Sequence, residues 1–322
     1  MREKTYALLA QNFGTFVSGE AISQRLGISR AAVQKHIHLF QKDGAGIVSV
    51  NNKGHMLASY ADRLKPEYIL PLTGGQPYQI VWRESAGSTN NEAKALAVNG
   101  APQFTCVTAE EQTGGKGRMG RLWVSPPHKG IYVSMVLRPG ISAQDALGIT
   151  VPAALAVCQS LTGLGMDARI KWPNDILVGG KKICGILTEI SANMDGVEYI
   201  VCGIGVNVNL TADDVPEELI PVATSVLIEK GAEAPRTKLL ADVLTVFSGY
   251  YEKFMQSGVQ ALIQEYTQLS VLHGRQLTLI TPNGQETGVF AGFDEHAALL
   301  MQTDSGVKRY IAGEISLKGF YK

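Results

Sequence analysis

Apolar residues recur along this chain in three successive styles. Through about residue 60 the period is first helical and then alternating. A helix is expected over residues 3–11. Residues 20–26 carry Ile22 and Leu26 four apart and stop at Gly27, a natural C-cap, and Ser29 is placed to N-cap a second helix running to about residue 43. Val33, Ile37 and Phe40 share one face of that helix, leaving Arg30, Gln34, Lys35, His38 and Gln41 on the other. Two helices joined by so short a turn present an outer face that can enter a major groove. After Gly44 and Gly46, IVSVNNKGHML reads as two short strands around a turn with Lys53 at its tip, the wing of a winged helix-turn-helix. The DNA-contacting positions on this reading are Ser29, Arg30, Gln34, Lys35, His38 and Lys53. The competing reading is a helical interaction module with a solvated basic face. His36 and His38 are read as core and surface residues rather than ligands.

Residues 60–78 contain Pro66, Pro71, Gly74, Gly75 and Pro77, which suits a linker and a boundary near residue 65. From there to about residue 270, the strand-like runs QIVWRES, FTCVTAE, IYVSMVL, ARIKW and YIVCGIGVNV alternate with the helical stretches NNEAKALA, VPAALAVCQSL and TKLLADVLTVFSGYYEKFM. Beyond Leu272 the strands shorten and are separated by Pro282-Asn283-Gly284, Asp294-Glu295 and Asp304-Ser305-Gly306, the pattern of a small β-barrel. The expected architecture is α+β and multidomain: a winged helix-turn-helix over 1–62, a central α/β domain with a mixed sheet over 66–270, and a barrel over 271–322.

Composition narrows the classes. With 322 residues, 45% of them hydrophobic and 18% charged, the chain suits two or three globular domains with sizeable cores. The best apolar run, 148–158, is short and contains Pro152, so no transmembrane helix is expected, and the N-terminus lacks a signal-peptide pattern. No membrane partner and a cytoplasmic location follow as expectations. Cys106, Cys158, Cys184 and Cys202 lack C-x-x-C spacing and sit among apolar neighbours, which suits reduced core thiols and no metal site. Net charge is zero but unevenly spread: residues 1–65 hold nine Lys or Arg against four Asp or Glu, and the remainder twenty against twenty-five. A basic segment on a neutral chain points to a nucleic-acid module attached to something else.

The richest chemistry lies in EQTGGKGRMGRLW, residues 111–123, whose glycines, Lys116, Arg118 and Arg121 suit a flexible anion-binding loop. Gly115, Gly117 and Gly120 formally match G-x-G-x-x-G, but no helix opens there and no G-K-[ST] follows, so the ordinary nucleotide folds are excluded. GSTNNEAKALA, from Gly87, opens a helix on which Thr89 and Glu92 are spaced as a capping box, with the Ser88 and Thr89 hydroxyls placed to bind a small polar ring or carboxylate. IKWPNDILVGGKKICGIL places Lys171, Trp172, Asn174 and Asp175 at a strand end, then a hairpin through Gly179-Gly180, with Lys182 aimed from its second strand into a pocket. GIGVNVNL adds a close approach at Gly203, and Asn207.

In this order these segments resemble the biotin protein ligase family, and within it the bifunctional biotin operon repressors, over nearly the whole chain. KWPND together with GxGRxG is the specific part; GSTN, KKICGIL, GIGVN and the terminal GEISL accompany it. The resemblance implies an α/β catalytic sheet followed by an SH3-like barrel. It implies two half-reactions: biotin carboxylate attacks the α-phosphate of ATP to give biotinyl-5'-AMP, and a lysine of a biotin carboxyl carrier protein then attacks that anhydride. It places Ser88, Thr89, Asn90, Gln112, Gly115, Lys116, Gly117, Arg118, Lys182 and Gly185 at biotin. Arg118, Arg121, Trp123, Lys171, Asn174 and Asn207 go to the adenylate, and Arg118, Lys171, Asp175 and Lys182 to catalysis. Lys116, Arg118, Arg121 and Lys171 would offset the charge gathered in the first step, together with Mg²⁺. Operator DNA and a homodimer promoted by biotinyl-5'-AMP are the further partners implied. Lys116 departs from the family's usual arginine, keeping the charge but losing a planar fork. Lipoate protein ligases share the chemistry but not KWPND or GxGRxG. A biotin sensor without ligase activity would not need the full basic set.

Overall fold

The computed structural model describes residues 1–194, 196–281 and 284–316. Pro282 and Asn283 of the expected turn and Leu317 of GEISL lie outside them.

The N-terminal unit comprises α1 (Arg2–Gln11), α2 (Gly19–Leu26), α3 (Arg30–Lys42), β1 (Gly46–Val50) and β2 (Gly54–Ser59). Its helix ends follow from local chemistry. Gly27 closes α2 at φ 63°, and the Ser29 hydroxyl accepts the Ala32 N–H to open α3. Val33, Ile37 and Phe40 are buried, whereas Arg30, Gln34, Lys35 and His38 are exposed. The wing hairpin is backed by Val17, which bridges to His55; at Gly54, where φ is 103°, a Cβ would lie 2.1 Å from the Val17 carbonyl oxygen, so only glycine fits.

The next element, α4 (Pro66–Ile69), completes that unit's core. The Tyr68 ring meets Tyr6 and Phe40 edge-on at centroid distances of 4.9 and 5.8 Å. Its hydroxyl donates to Asp43, the C-cap of α3, at 2.6 Å, and Lys65 reaches the same carboxylate at 2.9 Å.

The central unit contains β3 (Gln79–Ala86), α5 (Thr89–Val98), β4 (Thr105–Gln112), β5 (Gly130–Leu137), α6 (Ala143–Ala146), α7 (Thr150–Gly163), β6 (Arg169–Lys171), β7 (Asp175–Val178), β8 (Lys181–Asn193), β9 (Gly196–Asn207), α8 (Val226–Lys230), α9 (Arg236–Ser257) and α10 (Gln260–Leu269). Its seven strands run in the order β3-β4-β5-β9-β8-β7-β6; β3 and β4 are parallel and the other neighbours antiparallel. Alternation along β5 sends Ile131, Val133 and Met135 into the core shared with α7 and α9, while Val136 packs under Ala93 and Ala97 of α5 on the other face. Ala143–Gly163 forms a longer apolar helical stretch than the sequence suggested, because α6 and a 3₁₀ turn abut α7. By length and composition alone it could cross a membrane, yet 72% of its apolar window is buried inside the protein, as a core helix would be.

An ionic cluster fastens the linker to this sheet. Arg236 is wholly buried, with Nε 3.0 Å from Asp62, Nη2 3.0 Å from Glu110 and Nη1 3.0 Å from the Gly130 carbonyl. Glu110 also accepts the Leu64 N–H at 2.9 Å and the Trp82 indole at 3.1 Å. Burial alone would raise the Glu110 carboxyl; Arg236 and these donors outweigh it and hold the group below its ordinary range.

The C-terminal unit is a five-stranded antiparallel sheet of β10 (Gln276–Thr281), β11 (Gly284–Phe293), β12 (Leu299–Thr303), β13 (Gly306–Tyr310) and β14 (Glu314–Ser316), ordered β13-β12-β11-β10-β14. Phe293 packs edge-on against Tyr266 of α10 at 5.0 Å, so its core is continuous with the central one.

Candidate functional site

Three glycines flatten the sheet face not covered by α7 and α9. Across the strands, Tyr132, Gly205, Gly185, Asp175 and Lys171 stand in one row of partners, and Ser134, Gly203 and Leu187 in a parallel row two residues away. Trp123 lies on the first row. A Cβ at Gly205 would sit 2.5 Å from its Nε1, and one at Gly185 3.2 Å from its ring. Asn90 lies on the second row, where a Cβ at Gly203 would come within 2.0 Å of its Oδ1. Above this floor opens a cavity of about 400 Å³, within the usual size of small-ligand sites.

At one end the α5 N-terminus supplies Ser88, Thr89 and Asn90, all buried and all lining the cavity. The expected Thr89–Glu92 capping box does not form. Ser88 is the N-cap, Glu92 pairs with Arg83 at 2.8 Å, and the Thr89 N–H and hydroxyl both donate to Gln112 Oε1, at 2.9 and 3.0 Å. A tertiary acceptor from β4 has displaced the local one.

The glycine-rich segment is a hairpin. The Trp123 N–H donates to the Gly115 carbonyl at 2.9 Å, Lys116 pairs with Leu122, and the Gly117 N–H donates to the Arg121 carbonyl at 2.7 Å. Gly115, assigned to biotin, sits in the hairpin base instead of the cavity wall; a Cβ there would be 2.4 Å from the Trp123 carbonyl oxygen. Gly117 lines the cavity, and Lys116 lines it with its ammonium on Asn91 at 3.2 Å. Arg118 points inward to Asn174 Oδ1 at 3.2 Å and the Gly313 carbonyl at 3.3 Å. Arg121 lines the cavity as well, and Glu314 of β14 holds it there in a bidentate pair at 2.9 and 2.5 Å. Residues 193 positions apart in the chain thus clasp the hairpin.

Lys171, Asn174, Asp175 and Lys182 converge from the β6–β7–β8 meander. Lys182 is 2.7 Å from Asp175 and lies over the Trp123 ring at 5.3 Å. Burial pushes the Lys171 ammonium below its ordinary pKa, against the pull of Asp175, and burial likewise lowers Arg118. Asn174 Nδ2 is fixed on the Ile186 carbonyl at 2.8 Å, and Asn207 Nδ2 on the Thr224 carbonyl at 3.0 Å.

Residues 210–223 form a cavity wall absent from the sequence reading. Leu210, Val215, Pro216, Leu219, Val222 and Ala223 line it, held by Lys182 N–H to the Val222 carbonyl at 2.8 Å and Thr224 N–H to the Lys182 carbonyl at 2.9 Å. The acidic, proline-containing run carries no periodicity that would have revealed it.

The chemistry follows from the lining. A polar end fixed by Gln112, an aromatic shelf and a cationic rim suit a small polar ring joined to an anion. The Trp123 Nε1–H is buried without a partner among the described residues, a donor that a ligand acceptor would satisfy. In the N-terminal unit, Lys53 is exposed at the wing tip, Arg30 pairs with Glu20 at 2.5 Å, and Ser29 is spent on its cap.

Residues 82–207 match the biotin/lipoate A/B protein ligase family, 2–56 a helix-turn-helix domain and 272–318 the biotin protein ligase C-terminal domain. The chain is 36% identical to the bifunctional ligase/repressor BirA of Bacillus spizizenii, over 98% of both chains. It is 31% identical to the BirA of Escherichia coli, over 99% of this chain and 98% of that one. The biotin protein ligase of Aquifex aeolicus, solved with biotin and ATP, superposes with a TM-score of 0.65 at 28% identity, covering 74% of this chain and 97% of that one. With its ligase sheet, C-terminal domain and N-terminal helix-turn-helix all matched, the chain belongs to the biotin protein ligase family, in its bifunctional ligase/repressor branch.

Proposed function

We propose that this protein uses ATP to convert biotin to biotinyl-5'-AMP, transfers the biotin to a lysine of a biotin carboxyl carrier protein, and represses transcription through its helix-turn-helix. The observation that carries this is one cavity joining the Thr89–Asn90–Gln112 end, the Trp123 shelf, and the cations Arg118, Lys171 and Lys182. In the first step the biotin carboxylate forms a bond to the α-phosphorus and pyrophosphate leaves. Arg118, Lys171 and Lys182 offset the negative charge brought together there. In the second, the acceptor amine attacks the acyl carbon and AMP departs; Asp175 would take the amine's proton. The Arg118 hairpin holds the anhydride away from water until the acceptor arrives.

Mg²⁺ would enter on the nucleotide phosphates. Among the described residues no cluster of three or more His, Cys, Asp or Glu offers a protein site, and Asp175 and Glu314 are engaged by Lys182 and Arg121. Incubation with biotin, ATP, Mg²⁺ and a carrier domain should biotinylate the carrier; no transfer would refute the ligase reading.

The repressor reading rests on the exposed face of α3 and the wing. One such module needs a symmetric partner to read two half-sites, so a homodimer promoted by biotinyl-5'-AMP and acting in the cytoplasm completes the proposal. Sedimentation with and without the adenylate, with DNA titrations of wild type and an Arg30→Ala, Gln34→Ala variant, tests it. Unchanged assembly would remove the dimer, and normal DNA affinity of the variant would remove the recognition-helix assignment.

A further inference from the structure

The Gln112 amide has a fixed orientation: the Ser125 hydroxyl donates to the Trp123 carbonyl at 3.0 Å, so it can only accept from Gln112 Nε2, at 2.9 Å, and Gln112 Oε1 must face Thr89. Thr89 therefore spends its hydroxyl proton on Gln112, at 3.0 Å, and its Oγ1 is left as an acceptor. Asn90 is fixed in the same way. Its Nδ2 donates to the Leu187 carbonyl at 3.2 Å and to Glu189 at 2.8 Å, which turns its Oδ1 toward Ser134.

Ser134 stands between these two acceptors, 2.8 Å from Thr89 Oγ1 and 2.5 Å from Asn90 Oδ1, and is wholly buried. It has one proton for two oxygens, and the shorter contact goes to Asn90. We infer that Asn90 and Ser134 are specificity-determining positioning residues: by claiming the Ser134 proton, Asn90 leaves Thr89 Oγ1 short of a donor, so the site selects a head group that presents an N–H. The inference rests on the biotin reading above, and it assigns Asn90 an indirect role. A cyclic urea supplies the missing proton. A ring oxygen in its place would face Thr89 Oγ1 lone pair to lone pair, and buried polar groups left unpaired are what let such sites reject close isosteres strongly.

The test removes the claimant without opening a hole. Because a Cβ on Gly203 would fall 2.0 Å from Asn90 Oδ1, Gly203→Ala fills part of the space that Asn90→Ala vacates. Calorimetry would compare biotin with its two cyclic-carbamate isosteres, in which one or the other ring N–H is replaced by oxygen. Three proteins are needed: wild type, the Asn90→Ala, Gly203→Ala variant, and that variant with Ser134→Ala added; melting curves check folding. Wild type should reject at least one carbamate by roughly a hundredfold or more. Freed from Asn90, Ser134 can turn its proton to Thr89, so rejection should fall by about tenfold in the double variant and return in the triple, which has no proton to give. A purely structural role would not reverse in this way. Unchanged rejection in the double variant, or equal rejection in double and triple, overturns the inference while leaving the ligase reading intact. A wild type that binds no biotin overturns both.

Discussion

Replacing Lys182 with methionine separates its charge from its packing. Its Nζ lies over the Trp123 ring, 5.3 Å from the centroid, and Met retains apolar bulk there. What is lost is an ammonium 2.7 Å from Asp175, in a pair whose side chains are 32% and 20% exposed. A charge-assisted hydrogen bond to the biotin carboxylate is worth about 1.5–3 kcal/mol, or roughly ten- to hundredfold in affinity. Partial exposure screens this toward the lower end. A second effect pushes the other way, because Asp175, stripped of its partner, then repels the incoming carboxylate. Lys182→Met should therefore weaken biotin binding by about a hundredfold, and adding Asp175→Asn should recover part of the loss. Calorimetry with biotin and no ATP reads this directly, and raised salt should narrow the gap between the single and double variants. Wild-type affinity in Lys182→Met, or a double variant weaker than the single, would refute the reasoning.

Three further outcomes are expected. Arg118→Gly, which removes the hairpin's contacts to Asn174 and Gly313, should release biotinyl-5'-AMP early, and biotinylation of bystander proteins should rise over wild type; an unchanged level in an adenylate-trapping assay would count against it. Gly205→Ala places a methyl 2.5 Å from Trp123 Nε1, so nucleotide affinity should drop at least tenfold while biotin affinity changes less, as paired titrations would reveal. Arg236→Met strips the buried Glu110 carboxylate of its guanidinium and leaves it to the Leu64 N–H, the Trp82 indole and His128, costing about 3–5 kcal/mol; a marked fall in melting temperature should be partly reversed by adding Glu110→Gln.

What was legible in the sequence was local. Gly27, Ser29 and the Val33–Ile37–Phe40 stripe announce the helix-turn-helix because caps and amphipathic faces need only neighbours in the chain. The basic and glycine-rich motifs marked the cavity, since Lys171, Asn174, Asp175 and Lys182 all line it. What escaped depended on distant partners. Thr89 looked like half of a capping box until Gln112 outcompeted Glu92 for its role. Arg121 was legible as a cavity cation, but its clasp with Glu314 from the other end of the chain was not. Ser134 is a single serine in the run IYVSMVL, and nothing in that run's alternation says that Asn90 will be laid across it.

Tyr68 settles where this molecule can be divided. A DNA-reading head cut at residue 62 would lose the ring wedged between Tyr6 and Phe40 and both groups that hold Asp43 at the end of α3. The remaining ligase would keep Arg236 without the carboxylate of Asp62 when the cut falls after that residue. Anyone grafting a foreign operator specificity onto this enzyme should therefore carry the native stretch through Leu72 with the head, or confine the exchange to the exposed face of α3, because the plug that seals the head is encoded on the far side of its apparent border.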